Sequence, residues 1–233
     1  MQLKIMTFNT QHCKNYVEGH VDFEIMAKAI KSCAPDIVGL NEMFEASENP
    51  DLEKQVEKLC ECAGMKYCYF AKAVDLKRGT YGNGFLSNIP ILKAESIAIP
   101  DPAPRGYNGY YETRCVLKAE LEGGFTVLVS HFGLNPDEAE NAVRTVMASL
   151  ADEKCILMGD FNMKPEDPIL APIFKAMKDT AEVFDGEKLS FPSDKPDRKI
   201  DYIFVSSDAK VLEADIPAIV ASDHRPHTAT VEF

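Results

Sequence analysis

The sequence lacks any apolar run approaching the ~18 consecutive residues that a membrane span needs. The first residues, Met1-Gln2-Leu3-Lys4-Ile5, lead directly into patterned sequence without the apolar core of a secretory signal. Both absences predict a cytoplasmic protein with no membrane span.

The sequence also lacks the paired cysteine motifs of disulfide-rich, redox or zinc-binding proteins. Its seven cysteines are odd in number and scattered, and no Cys-x-x-Cys occurs. Cys60 and Cys62 lie two positions apart in a helical pattern, so they point to nearly opposite sides of the helix and cannot chelate one metal together. We therefore expect reduced thiols that pack as small apolar groups.

Positive charge is scarce, with 25 Lys and Arg against 37 Asp and Glu and a net charge of −12. A protein that grips long nucleic acids neutralises phosphates with Lys and Arg, so this balance disfavours nucleic acid as a partner. It does not exclude a single phosphate held by a metal ion, because metal sites themselves add carboxylates. The length and the 45% hydrophobic content predict one globular domain over residues 1–233.

Hydrophobic periodicity predicts strands both in hairpin-like runs and alternating with helices. The predicted helices are 22–32, 49–63, 136–151 and a shorter one within 168–177. The predicted strands are 3–9, 36–42, 67–71, 82–87, 113–120, 125–130, 155–160, 200–205 and 228–233. This mixture argues against a purely parallel sheet and favours an α/β fold in which two mixed sheets pack together with helices outside.

One stretch, residues 155–162, is an apolar strand that ends abruptly in Gly159-Asp160-Phe161-Asn162. Side chains alternate along an extended strand, so Asp160 and Asn162 would point to the same side. Gly, Asp and Asn are also the commonest turn formers, and a strand that leaves the core must end in polar residues somewhere. Taken alone, the stretch fits either a functional site or an ordinary turn.

The same pattern recurs along the chain, because apolar runs repeatedly end in an oxygen-bearing or imidazole side chain. These ends are Asn9, Glu42, His131, Asp160 with Asn162, Asp201, and Asp223 with His224. Each one singly fits a turn, a cap or a satisfied buried histidine. Strand ends of a sandwich share one rim, however, so their recurrence predicts a common site.

The motifs that carry these residues resemble the endonuclease/exonuclease/phosphatase (DNase I-like) superfamily, in order and in approximate spacing from Asn9 to Pro226. The motifs are Thr7-Phe8-Asn9, Asn41-Glu42, Ser130-His131, Gly159-Asp160-Phe161-Asn162, Asp201-Tyr202-Ile203 and Ser222-Asp223-His224. The resemblance implies a four-layer α/β sandwich that cleaves phosphoester bonds with a divalent metal. The family includes nucleases, inositol polyphosphate phosphatases, sphingomyelinases and deadenylases.

The resemblance also implies a metal site. Glu42 would be the principal ligand, with Asn9 and Asp223 nearby as ligands or supporting partners. All three offer the hard oxygen donors that Mg²⁺ prefers, and Mn²⁺ is a substitute.

Catalytic roles follow from the same resemblance. Asp160 would orient or deprotonate the attacking water, and Asn162 would bind the phosphate or that water. His224, held by Asp201, would stabilise the developing charge, and His131 would donate to a phosphate oxygen or to the leaving group. The expected reaction is in-line attack of water on phosphorus without a covalent intermediate, with either Asp160 or His224 as the general base.

One feature of some nuclease members is missing. A glutamate braces the imidazole at the His131 position in those proteins, and no unambiguous counterpart stands near residues 81–83. The acid role of His131 therefore lacks the support that it has in those proteins.

Three functions remain open from the sequence. The first is a metal-dependent hydrolase of a small phosphodiester or phosphomonoester, favoured by the acidic charge and the absence of a long basic insertion. The second is a nuclease whose local positive rim includes Arg105, predicted to bind substrate, with Lys195, Arg198 and Lys199. The third is a non-catalytic binding protein that retains the fold. The sequence predicts no oligomeric state.

Overall fold

Twelve strands form two six-stranded mixed sheets that pack face to face. The structure, a computed structural model, describes residues 1–233. Helices α1 (Phe23–Cys33) and α2 (Gln55–Ala63) cover the first sheet, and α3 (Pro136–Ser149) and α4 (Ala171–Ala176) cover the second. This confirms the predicted four-layer α/β sandwich.

The first sheet has the order β11-β12-β1-β2-β4-β3. Its strands are β1 (Gln2–Asn9), β2 (Ile37–Phe44), β3 (Tyr67–Leu76), β4 (Gly79–Ser87), β11 (Lys210–Asp215) and β12 (His227–Glu232). The second sheet has the order β5-β6-β7-β8-β10-β9. Its strands are β5 (Ile91–Ala98), β6 (Cys115–Leu121), β7 (Phe125–His131), β8 (Cys155–Asp160), β9 (Lys178–Asp179) and β10 (Asp201–Val205). Two 3-10 turns, Pro168–Leu170 and Thr180–Val183, complete the regular structure.

The centre of each sheet is a parallel pair, β1 with β2 and β7 with β8. Because parallel strands end at the same edge, Asn9 lies beside Asn41 in one sheet and His131 lies beside Asp160 in the other. Strand β10 runs antiparallel to β8, so its first residue, Asp201, also pairs with Asp160. The fold thereby gathers the polar strand ends at one rim.

Strand β8 shows why the central strands are continuously apolar. Ile156 and Met158 belong to the core between the two sheets, whereas Cys155 and Leu157 belong to the core beneath α3. Both faces of the strand are therefore covered, as expected for a central strand of a layered α/β protein.

The chain departs from the predicted elements at the start of α2 and at strands β5, β9 and β11, which were not predicted. Residues 49–54 form turns, so α2 begins only at Gln55. Strand β5 (Ile91–Ala98) is an edge strand whose exposed positions include Lys93 and Glu95, which dilute its apolar pattern. The hairpin through Gly123 and Gly124 is confirmed.

No helix combines the length and the apolar character that crossing a membrane requires.

Candidate active site

Seven predicted site residues form one connected network of polar contacts at the shared rim of the two sheets. The members are Asn9, Glu42, His131, Asp160, Asn162, Asp201 and His224. Residues up to 215 positions apart in the chain meet here. The expectation that the strand ends share one rim is therefore met by the fold.

The Asn9 side chain lies at the centre of this network. Its Nδ2 donates to Glu42 Oε1 and to Asp160 Oδ2, both at 3.1 Å, and its Oδ1 accepts from the backbone N–H of Gln11 at 3.1 Å. One amide thus uses both of its hydrogens on carboxylates that belong to different sheets. Asn9 fixes the spacing of these two carboxylates across the rim.

Glu42 reaches the rim through a bulge in β2. The pairing of β2 with β4 shifts between Leu40 and Met43, and Glu42 adopts a left-handed φ of 64°. A bulge of this kind redirects a side chain that regular pairing would point elsewhere. His12 supports the site from a left-handed turn: its Nδ1 lies 3.0 Å from the Glu42 backbone oxygen and its Nε2 lies 3.6 Å from Oε2.

Asp160, Asp201 and His224 form a buried arrangement of one imidazole between two carboxylates. His224 Nδ1 lies 2.9 Å from Asp201 Oδ2, and His224 Nε2 lies 3.6 Å from Asp160 Oδ2. Burial opposes the charged imidazole, but Asp201 and then Asp160 outweigh it and raise the pKa of His224 to about 10. Burial raises the pKa of Asp160. His224 therefore carries a positive charge at neutral pH, facing Asp160.

His131 and Asn162 lie on the other side of Asp160. The backbone N–H of Asn162 donates to Asp160 Oδ1 at 2.9 Å, and Asn162 adopts a left-handed φ of 52°. This turn places Asn162 Nδ2 3.1 Å from His131 Nε2 and 3.0 Å from the backbone oxygen of Phe132, to which it donates. Asn162 thus continues the site past the end of β8.

The partner of the His131 ring is an arginine. Arg114 Nη1 lies 2.9 Å from His131 Nδ1, and no carboxylate contacts that nitrogen. Burial and the charge of Arg114 lower the pKa of His131 well below its usual value. The His131 ring therefore has the positively charged Arg114 as its neighbour in place of a glutamate, and His131 is neutral.

A chain of buried amides joins the two sheets beneath the site. Asn41 Oδ1 accepts the backbone N–H of Asp160 at 2.9 Å, while Asn41 Nδ2 donates to the oxygens of Ser130 at 3.1 Å and Asn83 at 2.9 Å. Asn83 Nδ2 in turn donates to the Cys115 oxygen at 3.0 Å. These satisfied amides fix β2 and β4 against β7 and β8.

The donors that fit a divalent cation stand on the open side of the rim. Glu42 and Asp223 are both partly exposed, and burial followed by the Glu42 charge raises the pKa of Asp223. Glu42 and Asp223 thus offer carboxylate oxygens of the kind that Mg²⁺ prefers, whereas Asn9 turns its Nδ2 toward Glu42 and its Oδ1 toward the Gln11 N–H. The ligand atoms of Asp160, Asp201 and His224 also lie within 4.8 Å of one another, but that group is buried and already joined by the Asp201–His224 hydrogen bond.

Arg105 lies outside the network. It is exposed on the 99–114 loop, where its guanidinium stacks 4.7 Å from the centre of the Tyr111 ring, and it makes no hydrogen bond to the seven residues. The prediction that Arg105 binds substrate rests on the loop alone.

Several solved structures have a fold similar to that of this chain. An endonuclease/exonuclease/phosphatase from Beutenbergia cavernae DSM 12333 aligns over 100% of this chain and 72% of its own, with 21% identity and a TM-score of 0.80. The mannosyl-6-phosphatase Bt3783 of Bacteroides thetaiotaomicron VPI-5482 aligns over 99% and 100%, with 17% identity and a TM-score of 0.76. TDP2 of D. rerio, in a complex with single-strand DNA product, aligns over 100% and 99%, with 17% identity and a TM-score of 0.71.

Sequence comparison gives the family directly. No curated protein matches the chain. The family model described as "Endonuclease/Exonuclease/phosphatase family" matches residues 6–224, which include every residue of the polar network. The chain therefore belongs to the endonuclease/exonuclease/phosphatase family.

Proposed function

We propose that residues 1–233 form one catalytic domain, a divalent-metal-dependent phosphoester hydrolase that acts on a small phosphorylated substrate by direct attack of water. The main support for the proposal is the rim network. In it the carboxylate of Asp160 and the charged imidazole of His224 lie close to the partly exposed carboxylate of Glu42. The family relationship supports phosphoester hydrolysis as the class of reaction.

In this proposal Glu42 and Asp223 would hold the metal, and Asn9 supports them through its hydrogen bond to Glu42. Their oxygen donors suit Mg²⁺, with Mn²⁺ as a substitute. When bound, the ion neutralises negative charge on the phosphoryl oxygens. His12 supports Glu42 through the contacts to its backbone and carboxylate oxygens.

Asp160 is the general base that we assign. His224 lies between two carboxylates that keep it protonated, so it suits charge stabilisation rather than proton acceptance. Asp160 accepts hydrogen bonds from the Asn9 side chain and the Asn162 backbone, and these fix the direction of its carboxylate. Asp201 orients His224, while His131 and Asn162 bind the phosphate.

A small substrate is supported by the charge of the molecule. A net charge of −12 opposes binding of a polyanion, whereas one phosphate requires only local neutralisation. Among the structural neighbours, one is described as a mannosyl-6-phosphatase and another holds single-strand DNA product, so both substrate classes enter the test.

The test is a substrate panel with Mg²⁺, with Mn²⁺ and with EDTA. It contains sugar phosphates, inositol phosphates, bis-p-nitrophenyl phosphate, and single- and double-stranded oligonucleotides. We expect turnover of at least one small phosphoester, abolished by EDTA. Asp160→Asn should lower kcat by roughly 10²- to 10⁴-fold, the contribution of a general base.

The matched control is Asp152→Asn, an exposed carboxylate just before β8, which should retain wild-type activity. Faster cleavage of oligonucleotides than of every small phosphoester would instead assign the chain as a nuclease. No turnover by wild type, with Asp160→Asn behaving identically, would favour a binding protein.

A further inference from the structure

The His131 imidazole is held between two groups that both offer hydrogens. Arg114 Nη1 lies 2.9 Å from its Nδ1, and Asn162 Nδ2 lies 3.1 Å from its Nε2. A guanidinium has only donors and remains protonated in proteins, so it cannot accept a hydrogen from Nδ1. Nδ1 must therefore accept, which leaves the single proton of the neutral ring on Nε2.

The hydrogens of Arg114 Nη1 fit this assignment. One is directed at the Tyr81 hydroxyl at 3.2 Å and the other at His131 Nδ1. Glu112 Oε1 lies only 2.8 Å from Nη1, yet it is a buried oxygen without a hydrogen-bond partner. Glu112 thus compensates the charge of Arg114 without taking the hydrogen that His131 receives.

On the other side of the ring, two donors meet without a common acceptor. His131 Nε2–H adjoins Asn162 Nδ2, and one hydrogen of that amide is already used on the Phe132 oxygen. The nearest carboxylate oxygen, Asp160 Oδ2, is 3.5 Å from Nε2. Neighbouring N–H groups that lack an acceptor form a site for an anionic oxygen.

We propose that Arg114 is a positioning residue that fixes the proton of His131 on Nε2, so that His131 and Asn162 present a permanent pair of N–H donors to one phosphate oxygen. The phosphate part rests on the proposed function, whereas the tautomer does not. His131 then serves only as a hydrogen-bond donor. Acting as a general acid would require either a protonated Nδ1 facing a guanidinium or loss of the only ring proton.

The first experiment measures the tautomer directly by NMR of ¹⁵N-histidine-labelled, metal-free protein. The His131 signals are assigned by their loss in His131→Gln. Wild type should show a neutral ring protonated on Nε2. Arg114→Met should produce a mixture of tautomers, and Arg114→Lys should restore the wild-type pattern because an ammonium group can also donate to Nδ1.

The matched control is Tyr81→Phe, which removes the other acceptor of Arg114 Nη1 and should leave the His131 tautomer unchanged. A proton on Nδ1 in wild type would overturn the proposal, as would an Arg114→Met spectrum identical to wild type. The wild-type spectrum is decisive even where Arg114→Met fails to fold.

The second experiment uses the best substrate from the panel. Arg114→Met should lower kcat by about 10- to 100-fold, as loss of a group that orients a functional histidine does elsewhere, and Arg114→Lys should recover much of it. His131→Gln should exceed His131→Ala, because a glutamine amide can donate to phosphate but cannot act as an acid. Equal activities would overturn the donor role.

The two experiments fail separately. If wild type hydrolyses no phosphoester, the proposed function fails while the tautomer measurement still decides the role of Arg114.

Discussion

At the scale of single residues, Asp201 offers a way to separate the charge of His224 from its orientation. In Asp201→Asn the amide oxygen can still accept from His224 Nδ1, so the ring keeps its position while the buried carboxylate disappears. We expect kcat to fall by about 100-fold or more, the size of losing one electrostatic contact to the transition state.

The dependence of Asp201→Asn on Mg²⁺ concentration should match wild type, because Asp201 is not among the proposed metal ligands. Steady-state kinetics over a Mg²⁺ titration check both statements, with the exposed Asp197→Asn as the control. Wild-type kcat in Asp201→Asn would mean that the negative charge of Asp201 does not contribute to the reaction.

Most of the residues that the sequence revealed stand at the end of an apolar run, and Asp201, which begins β10, was found through the Asp201-Tyr202-Ile203 motif of the family resemblance. Arg114 escaped this search because it immediately precedes β6, which runs antiparallel to β7, so the beginning of β6 lies beside the end of β7. Which strand beginnings join a rim depends on the pairing of strands, and a single sequence does not reveal it. His12 lies three positions beyond Asn9, and this proximity in the chain was the only sign in the sequence that it belongs near the site.

At the scale of elements, the close approach of β7 and β8 depends on Gly159. Its φ is +142°, and a Cβ added there would lie 1.8 Å from the Ser130 backbone oxygen. Gly159→Ala must separate two central strands and displace Asp160, so we expect a loss of more than about 3 kcal/mol of unfolding free energy, within the range for overpacked cores and strained backbone.

Gly124→Ala is the matched comparison. Gly124 also has a positive φ, +81°, but nothing lies within 4 Å of an added Cβ. That variant should lose only about 1–2 kcal/mol, the strain of a left-handed alanine. Urea unfolding of both variants measures the difference, and equal losses would show that the contact with Ser130 is unimportant.

Elements were predictable where one face or both faces of the chain are buried. Helices α1 and α3 begin and end within two residues of their predicted bounds, since amphipathic spacing and flanking prolines define them. Edge strand β5 has too few buried positions to show such spacing. The bulge that turns Glu42 toward the rim arises from tertiary pairing, so local sequence predicted the residue but not how it reaches the site.

At the scale of the whole molecule, the site lies where the rims of the two sheets meet. Asn9 and Glu42 come from the first sheet, and His131, Asp160 and Asp201 come from the second. The family resemblance of the motifs was enough to predict this architecture. The architecture requires only that the strands carrying the motifs meet at one rim. The buried amides Asn41 and Asn83, which set the spacing of the sheets, lie inside predicted strands and gave no sign of their role.

Stability toward acid depends on a histidine away from the network. His227 is fully buried, and its Nε2 lies 3.3 Å from the Thr180 hydroxyl. That hydroxyl donates to the Ile203 oxygen, so it accepts from Nε2–H, and Nδ1 has no partner. Burial, reinforced by the charge of Lys199 against the opposing carboxylates of Asp179 and Asp201, lowers the pKa of His227 to about 4.

Because the unfolded chain binds this proton near pH 6.5 and the folded chain only near pH 4, folding loses stability as the pH falls between these values. The expected contribution is about 2 kcal/mol between pH 7 and pH 5. His227→Gln should remove that part of the pH dependence, measured by urea unfolding at both pH values. His20→Gln, at an exposed histidine, should keep the wild-type slope. A wild-type slope in His227→Gln would show that the pH dependence comes from other groups, and the carboxylates of the rim would be the next to replace.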